Sequence, residues 1–127
     1  MMSEDKEFPT LAVLSATSGV MLTRHIGELY EVLNHVLGMS LMTHQLPNAS
    51  RVAEPYILSQ HPHLREASHK VKSLVPPKDE NFEERMTFLC DILKGLYGES
   101  VMLSPDREAR ERWDVLYGQD FFSTFRG

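Results

Sequence analysis

The sequence predicts a mainly α-helical fold: one compact domain of five or six helices, with room for a small two- or three-stranded sheet (α+β). Two observations carry this prediction. Apolar residues recur every three or four positions in segments 26–37 and 82–96, which is the period of a helix with one buried face. Proline or glycine stands at the ends of these segments and of weaker ones. The length of 127 residues is typical of one domain, which we place at 8–127 after a flexible N-terminal segment, 1–7.

The first helix is predicted between Pro9 and Gly19. Proline suits the first helical position because no N–H is needed there, and glycine suits the residue that ends a helix because it adopts a positive φ without strain. Leu11 and Leu14 mark the apolar side of this helix. The next four residues, VMLT (20–23), read as a short extended piece.

The second helix, over residues 26–37, has the clearest apolar stripe and ends at Gly38. His35 falls on the opposite side together with Glu28 and Glu31, so we predict that His35 faces solvent. The stripe consists of Ile26, Leu29, Tyr30, Leu33, Val36 and Leu37.

A third helical pattern runs from Thr43 to His61. Thr43 is predicted as its N-terminal cap, and Pro47 fits in its first turn. Pro55 lies inside the pattern, where proline removes a backbone hydrogen bond and clashes with the preceding turn. We therefore expect a kink at this point, or two short helices that meet at Glu54.

The second half of the chain continues the helical pattern. A helix restarts after Pro62 and ends before the Pro76-Pro77 pair, and Asn81 with Glu84 resembles a capping box for the next helix. The apolar face of that next helix consists of Phe82, Met86, Leu89, Leu93 and Leu96.

SVMLS (100–104) reads as a second short extended piece, with Ser104 as the cap of a last helix. Ala109, Trp113 and Leu116 are predicted to point inward from that helix. The aromatic tail, 119–127, is predicted to dock on the domain or to bury its phenylalanines in a homodimer. VMLT, SLMT and VMLS each follow a glycine, which predicts that at least two of them pair as a sheet; the alternative is that each only leads the chain back to the core.

Composition excludes several classes of function. The 13 basic and 18 acidic residues give a net charge of −5, which argues against general nucleic-acid binding. No apolar run approaches the ~20 residues that span a bilayer, and the polar start MMSEDKEFP is no secretory signal. The single cysteine, Cys90, excludes an internal disulfide framework and fits a reducing cytosol. We read it as an inert buried thiol.

Histidine is the only plausible source of metal ligands. The best group is His61 and His63 with His44 or His69, but a His-x-His pair converges on a strand, and here a proline separates the two at the start of a helix. No nucleophile elbow, phosphate-binding glycine loop or HExxH pair occurs. We therefore predict no metal, no cofactor and a non-enzymatic function; an enzyme such as a nuclease or hydrolase is a further alternative, which no motif supports.

The stretch LMTHQLPNASR (41–51) holds the candidate binding residues. If it is helical, His44 and Arg51 lie two turns apart on one face with Asn48 between them. With Thr43 and His61, this stripe is the candidate ligand or partner site, because an arginine fork suits a phosphate or carboxylate. The alternative is structural: Thr43 caps the helix and Arg51 pairs with a nearby acid such as Glu54.

The first half of the chain resembles a family of short, uncharacterised proteins that bacteriophages and prophages encode. The likeness covers about residues 8 to 64, and the Thr-His-Gln-Leu-Pro element is its most specific part. Ser18-Gly19 departs mildly from the family's Thr-Gly. The matching elements are Phe8-Pro9, Leu14-Ser15, Ile26 to Asn34, Thr43 to Pro47, Arg51 and Gln60-His61-Pro62.

The resemblance implies a setting rather than an activity, namely a small phage accessory protein in the cytoplasm of a host bacterium. From it we expect non-enzymatic binding to a host bacterial protein, such as a component of a defence system. The alternative is a small-molecule or nucleotide-binding protein that sequesters a signalling ligand through the His44, Asn48 and Arg51 stripe.

Overall fold

A computed structural model describes residues 4–118 and shows six α-helices with a two-stranded antiparallel sheet. The predicted mainly α single domain with a small sheet is confirmed. A 3-10 turn, Thr43–Gln45, precedes the third helix, and a π-helical turn, Asp114–Gly118, follows the sixth. In chain order the elements are β1 Lys6–Pro9, α1 Thr10–Ser18, α2 Ile26–Leu37, α3 Leu46–Gln60, α4 Leu64–Leu74, α5 Phe82–Tyr97, β2 Ser100–Leu103 and α6 Arg107–Trp113.

Helix α1 is the centre of the core, and it contacts α2, α3, α4 and α5. Every residue from Ala12 to Ser18 is buried, so the helix has no solvent face along most of its length. The prediction that Leu11 and Leu14 mark one apolar side of this helix is therefore wrong. Leu14 is fully buried, Leu11 is only half-buried, and the buried residues surround the helix. Small side chains such as Ala12 and Ala16 allow neighbouring helices to approach from all sides. Gly19 ends the helix at φ 78°, as predicted.

Two buried threonines of α1 differ in hydrogen bonding. The hydroxyl of Thr17 bonds to the hydroxyl of Ser68 on α4 at 2.5 Å. The hydroxyl of Thr10 is equally buried and has no hydrogen-bond partner within residues 4–118. A buried hydroxyl without a partner costs free energy, because it has lost its hydrogen bonds to water.

We therefore expect Thr→Val replacements at these two sites to change the free energy of unfolding in opposite directions. Valine has the same shape and β-branching, so only the hydroxyl is lost. Thr10→Val should raise the free energy of unfolding by about 1 kcal/mol, and Thr17→Val should lower it by about 1–2 kcal/mol because Ser68 loses its partner. Urea denaturation followed by circular dichroism measures both; the same sign at both sites would contradict the assignment.

The sheet joins the two ends of the described chain. Phe8 pairs with Val101 and Lys6 with Leu103 in antiparallel register. Lys6 and Glu7 therefore lie in a strand, although the sequence places them in the flexible segment. Of the three glycine-preceded pieces, only SVML forms a strand within residues 4–118. VMLT and SLMT are irregular there, so the predicted pairing between these pieces is wrong.

The sheet also explains His35, which the sequence predicts to face solvent. The side chain is half-buried, its Nε2–H donates to the carbonyl of Leu103 at 2.8 Å, and its ring lies 5.2 Å from the ring of Phe8. The surface prediction is wrong because Phe8 of β1 and Leu103 of β2 contact His35, whereas Glu31 on the same side of α2 remains exposed. At the other end of that helix, Ile26 is exposed although it belongs to the predicted stripe.

Local signals at helix ends were only partly correct. Helix α3 runs through Pro55 without division, so the two-helix alternative is wrong; Pro55 is exposed. Asn81 makes no side-chain cap, and the cap of α6 is Asp106 rather than Ser104, its carboxylate accepting from the N–H of Ala109 at 3.0 Å.

No helix within 4–118 is long and apolar enough to cross a bilayer. The prediction for the aromatic tail concerns 119–127, outside the described residues.

Candidate functional site

The candidate residues between 43 and 51 do not form one site. The hydroxyl of Thr43 bonds to the hydroxyl of Tyr30, so Thr43 is not a helix cap. His44 is exposed, Asn48 is half-buried, and Arg51 is exposed. Thr43 and His44 belong to the 3-10 turn Thr43–Gln45, and only Asn48 and Arg51 lie within α3, which begins at Leu46.

His61 lies apart from these residues and has a structural role. Its Nε2–H donates to the carbonyl of Met102 on β2. The side chain of the preceding Gln60 makes two hydrogen bonds to the backbone of Ser104. It accepts from the N–H at 2.9 Å and donates to the carbonyl at 3.1 Å. Together these bonds fix the C-terminal end of α3 to the end of the sheet. Within residues 4–118 no group of three or more His, Cys, Asp or Glu side chains is placed to hold a metal.

Two more polar side chains hold the connection between α2 and α3, one from the LMTHQLPNASR stretch and one from α2. The side chain of Gln45 accepts from the N–H of Met42 at 2.8 Å, and that of Asn34 accepts from the N–H of Leu41 at 2.9 Å. The Thr-His-Gln-Leu-Pro element is thus a structural junction for most of its length. His44 is its polar member without a hydrogen bond to any residue described here.

Arg51 and Thr43 line an open groove of about 570 Å³ at the C-terminal end of α1. We call it the α1 groove; helices α1, α2, α3 and α4 all contribute to its walls. His44, Asn48 and His61 do not line it. Its charged residues are Arg51, Glu54 and Lys72, and its most exposed apolar residues are Met21 and Ile26. The predicted ion pair of Arg51 with Glu54 is not formed.

A second surface, on α5, was not predicted. Phe88, Ile92 and Leu96 are 68%, 40% and 59% exposed, and their spacing of four places them in one stripe. Leu74 and Val75, at the end of α4, are also exposed. Leu74, Phe88 and Ile92 line an open groove of about 670 Å³. We call these five residues the α5 face.

The α5 face corrects the predicted core side of this helix. Leu89 and Leu93 are buried as predicted, but Leu96 is not, and Phe82 and Met86 are only half-buried. The sequence did contain a signal for the exposed stripe. Phe88, Ile92 and Leu96 repeat at the helical period one residue away from the buried stripe, so α5 has more apolar positions than one neighbour can cover.

The edge of the α5 face is acidic. Arg85 pairs with Asp79, and Lys94 pairs with Asp91, each at 3.7 Å between exposed side chains. Glu84 lines the groove of the α5 face and has no ion pair with any residue in 4–118, whereas Glu83 lines a different groove on the side of α5 that carries Cys90. Between residues 79 and 94 the acidic side chains are Asp79, Glu80, Glu83, Glu84 and Asp91, and the basic ones are Arg85 and Lys94.

Cys90 lies on the opposite, half-buried side of α5. Its thiol approaches the carbonyl of Leu22 at 3.6 Å, and burial raises the pKa of the thiol above its usual value. A raised pKa leaves little thiolate at neutral pH, and the thiolate is the nucleophilic form. Cys90 therefore fits the predicted inert thiol better than a nucleophile.

Residues 8–67, from β1 into α4, match the model of a family described as a domain of unknown function (DUF7736). The match covers a little under half of the chain, includes both Arg51 and the Thr-His-Gln-Leu-Pro element, and leaves out the α5 face. No curated protein and no solved structure matches the chain.

Proposed function

We propose that the protein acts by non-enzymatic binding of another protein through the α5 face. The exposed stripe of Phe88, Ile92 and Leu96 carries this proposal. Large apolar side chains that lie together on a surface mark protein interaction sites, and aromatic anchors supply much of the binding energy at such sites. The nearby Leu74 and Val75 widen the surface beyond a single helix.

The acidic edge specifies the chemistry of the partner. A partner with an apolar pocket bordered by lysine or arginine would meet Phe88 at its centre and the unpaired Glu84, which lines the same groove, at its border. Complementary charge of this kind speeds association and selects among partners more than it adds affinity. Binding should therefore weaken as salt is raised.

The resemblance to phage and prophage proteins supplies the setting of the proposal. We place the protein in the cytoplasm of an infected bacterium, where the partner is a host protein and one class of target is a defence component. A small protein that covers a functional basic surface of such a target would inhibit it without catalysing a reaction.

Capture from a bacterial host lysate tests the α5 face. Immobilised protein should retain a stoichiometric partner, and Phe88→Ala should weaken binding of the purified partner by about 30-fold, an effect typical of an interface anchor. Met42→Ala is the matched control, because Met42 is 65% exposed but lies away from α5. Surface changes of this kind should leave the free energy of unfolding nearly unchanged.

Two outcomes would contradict the proposal. Equal weakening by Met42→Ala and Phe88→Ala would show that the α5 face is not the site. A homodimer in analytical ultracentrifugation that Phe88→Ala dissociates, with no host partner retained, would show that a second copy covers the face.

A further inference from the structure

The α1 groove is a second surface, separate from the α5 face. Its floor is the last turn of α1, Ser15–Gly19, with α3 on one side and Lys72 of α4 on another. The volume of about 570 Å³ lies in the range of small-molecule pockets, roughly 300–1,000 Å³. A cavity of this size can hold a mononucleotide-sized ligand.

Two cations line this groove without counter-charges bonded to them. Arg51 and Lys72 come from different helices, and neither forms an ion pair or side-chain hydrogen bond with a residue in 4–118. This is notable in a chain of net charge −5, where acids are in excess. A guanidinium offers a planar fork that fits phosphate oxygens in pairs, and an ammonium offers a mobile point charge.

Hydroxyl groups add donors beside the cations. Ser18 accepts from the N–H of Val20 at 3.1 Å, and its own O–H has no acceptor among the described residues. Ser50, on the groove side of α3, makes no side-chain hydrogen bond to any residue described. These hydroxyls are therefore free to donate to a ligand in the groove.

Part of the groove lining is apolar. Met21 and Ile26 are exposed there, and Leu29, Leu46 and Pro47 lie beside them. Methionine adapts its shape to a flat or irregular ligand. The groove therefore offers both cationic and apolar contacts to a ligand.

We propose that the α1 groove binds a small phosphate ester with a flat organic group, such as a nucleoside monophosphate. Arg51 and Lys72 hold the phosphate, Ser18 donates to it or to the sugar, and Met21 and Ile26 contact the base. Glu54, which follows Arg51 by one helical turn, lowers the affinity for anions and accepts an N–H of the base.

Isothermal titration calorimetry with three probes tests the site. We expect adenosine 5′-monophosphate or uridine 5′-monophosphate to bind, and adenosine and inorganic phosphate each to bind at least tenfold more weakly. Arg51→Ala and Lys72→Ala should each weaken binding of the monophosphate at least tenfold. Arg65→Ala removes the same charge from an exposed position of α4 outside the groove, so its affinity should equal that of wild type.

Glu54→Gln removes the negative charge of this side chain from the groove but keeps its size nearly unchanged. Removal of the negative charge should strengthen binding of inorganic phosphate several-fold, because phosphate has no base for Glu54 to contact. No heat from either monophosphate at millimolar concentration would overturn the proposal. So would equal weakening by Arg65→Ala, which would indicate general attraction to charge.

This site does not depend on the proposed protein partner. Phe88→Ala should bind the monophosphate as wild type does, and Arg51→Ala should retain the host partner. The two experiments can therefore contradict the nucleotide site and the protein interface independently of each other.

Discussion

Replacement of Leu14 by alanine should lower the free energy of unfolding by about 3–4 kcal/mol. Leu14 is fully buried in α1, the helix that four other helices surround. Its loss removes apolar contacts and leaves a cavity that close-packed neighbours cannot fill by a small shift. Urea denaturation followed by circular dichroism, with a constant m-value, measures the change.

Leu11→Ala is the control for this prediction. The sequence placed Leu11 and Leu14 on one apolar side, but only Leu14 is fully buried in the structure. We expect Leu11→Ala to cost less than about half as much, because half-burial leaves part of the side chain in water in both states. An equal loss in the free energy of unfolding at the two sites would instead support the sequence prediction that Leu11 and Leu14 are buried on the same side of α1.

Helices were predictable because their signals are local. The apolar period located α2 and α5. Gly19 ends α1 at φ 78° and Gly38 ends α2 at φ 64°, in a region of backbone conformation that favours glycine. The sheet was not predictable in the same way. The partner of Leu103 is Lys6, nearly the whole chain away, and no periodicity within a short window contains that pairing.

The failures at helix ends have a different cause. Pro55 removes one hydrogen bond, but the rest of α3 is held by tertiary contacts with α1, α2 and α6, so the helix continues. Ser104 is not the cap because its backbone is fixed by Gln60 from α3, its hydroxyl donates to the carboxylate of Asp5, and α6 begins only at Arg107, next to Asp106. In both places packing outweighed a correct local preference.

The candidate site was predicted in part. Arg51 was named from the sequence and does line a groove, as does Thr43. The stripe from His44 to Arg51 assumed one α-helix, but His44 lies in a 3-10 turn, where residues rotate by about 120° rather than 100°. Lys72 belongs to another helix, so no sequence spacing could join it to Arg51.

Replacement of Trp113 by alanine should lower the free energy of unfolding by about 4 kcal/mol. Trp113 is buried where α6 meets α2 and α3, and its ring lies 4.6 Å from that of Tyr117. Seven residues are too few to form a stable helix alone, so α6 depends on this packing. Urea denaturation of wild type and variant, followed by circular dichroism, measures the loss.

The matched comparison is Leu116→Ala, three residues further along. The sequence predicted Trp113 and Leu116 as inward-facing neighbours, but the π-helical turn after α6 leaves Leu116 42% exposed. We expect Leu116→Ala to change the free energy of unfolding by less than about 1 kcal/mol. If Trp113→Ala instead cost no more than this, α6 would not be part of the cooperative core. A smaller m-value for Trp113→Ala would show α6 detached in the native state, because less surface would then remain to be exposed on unfolding.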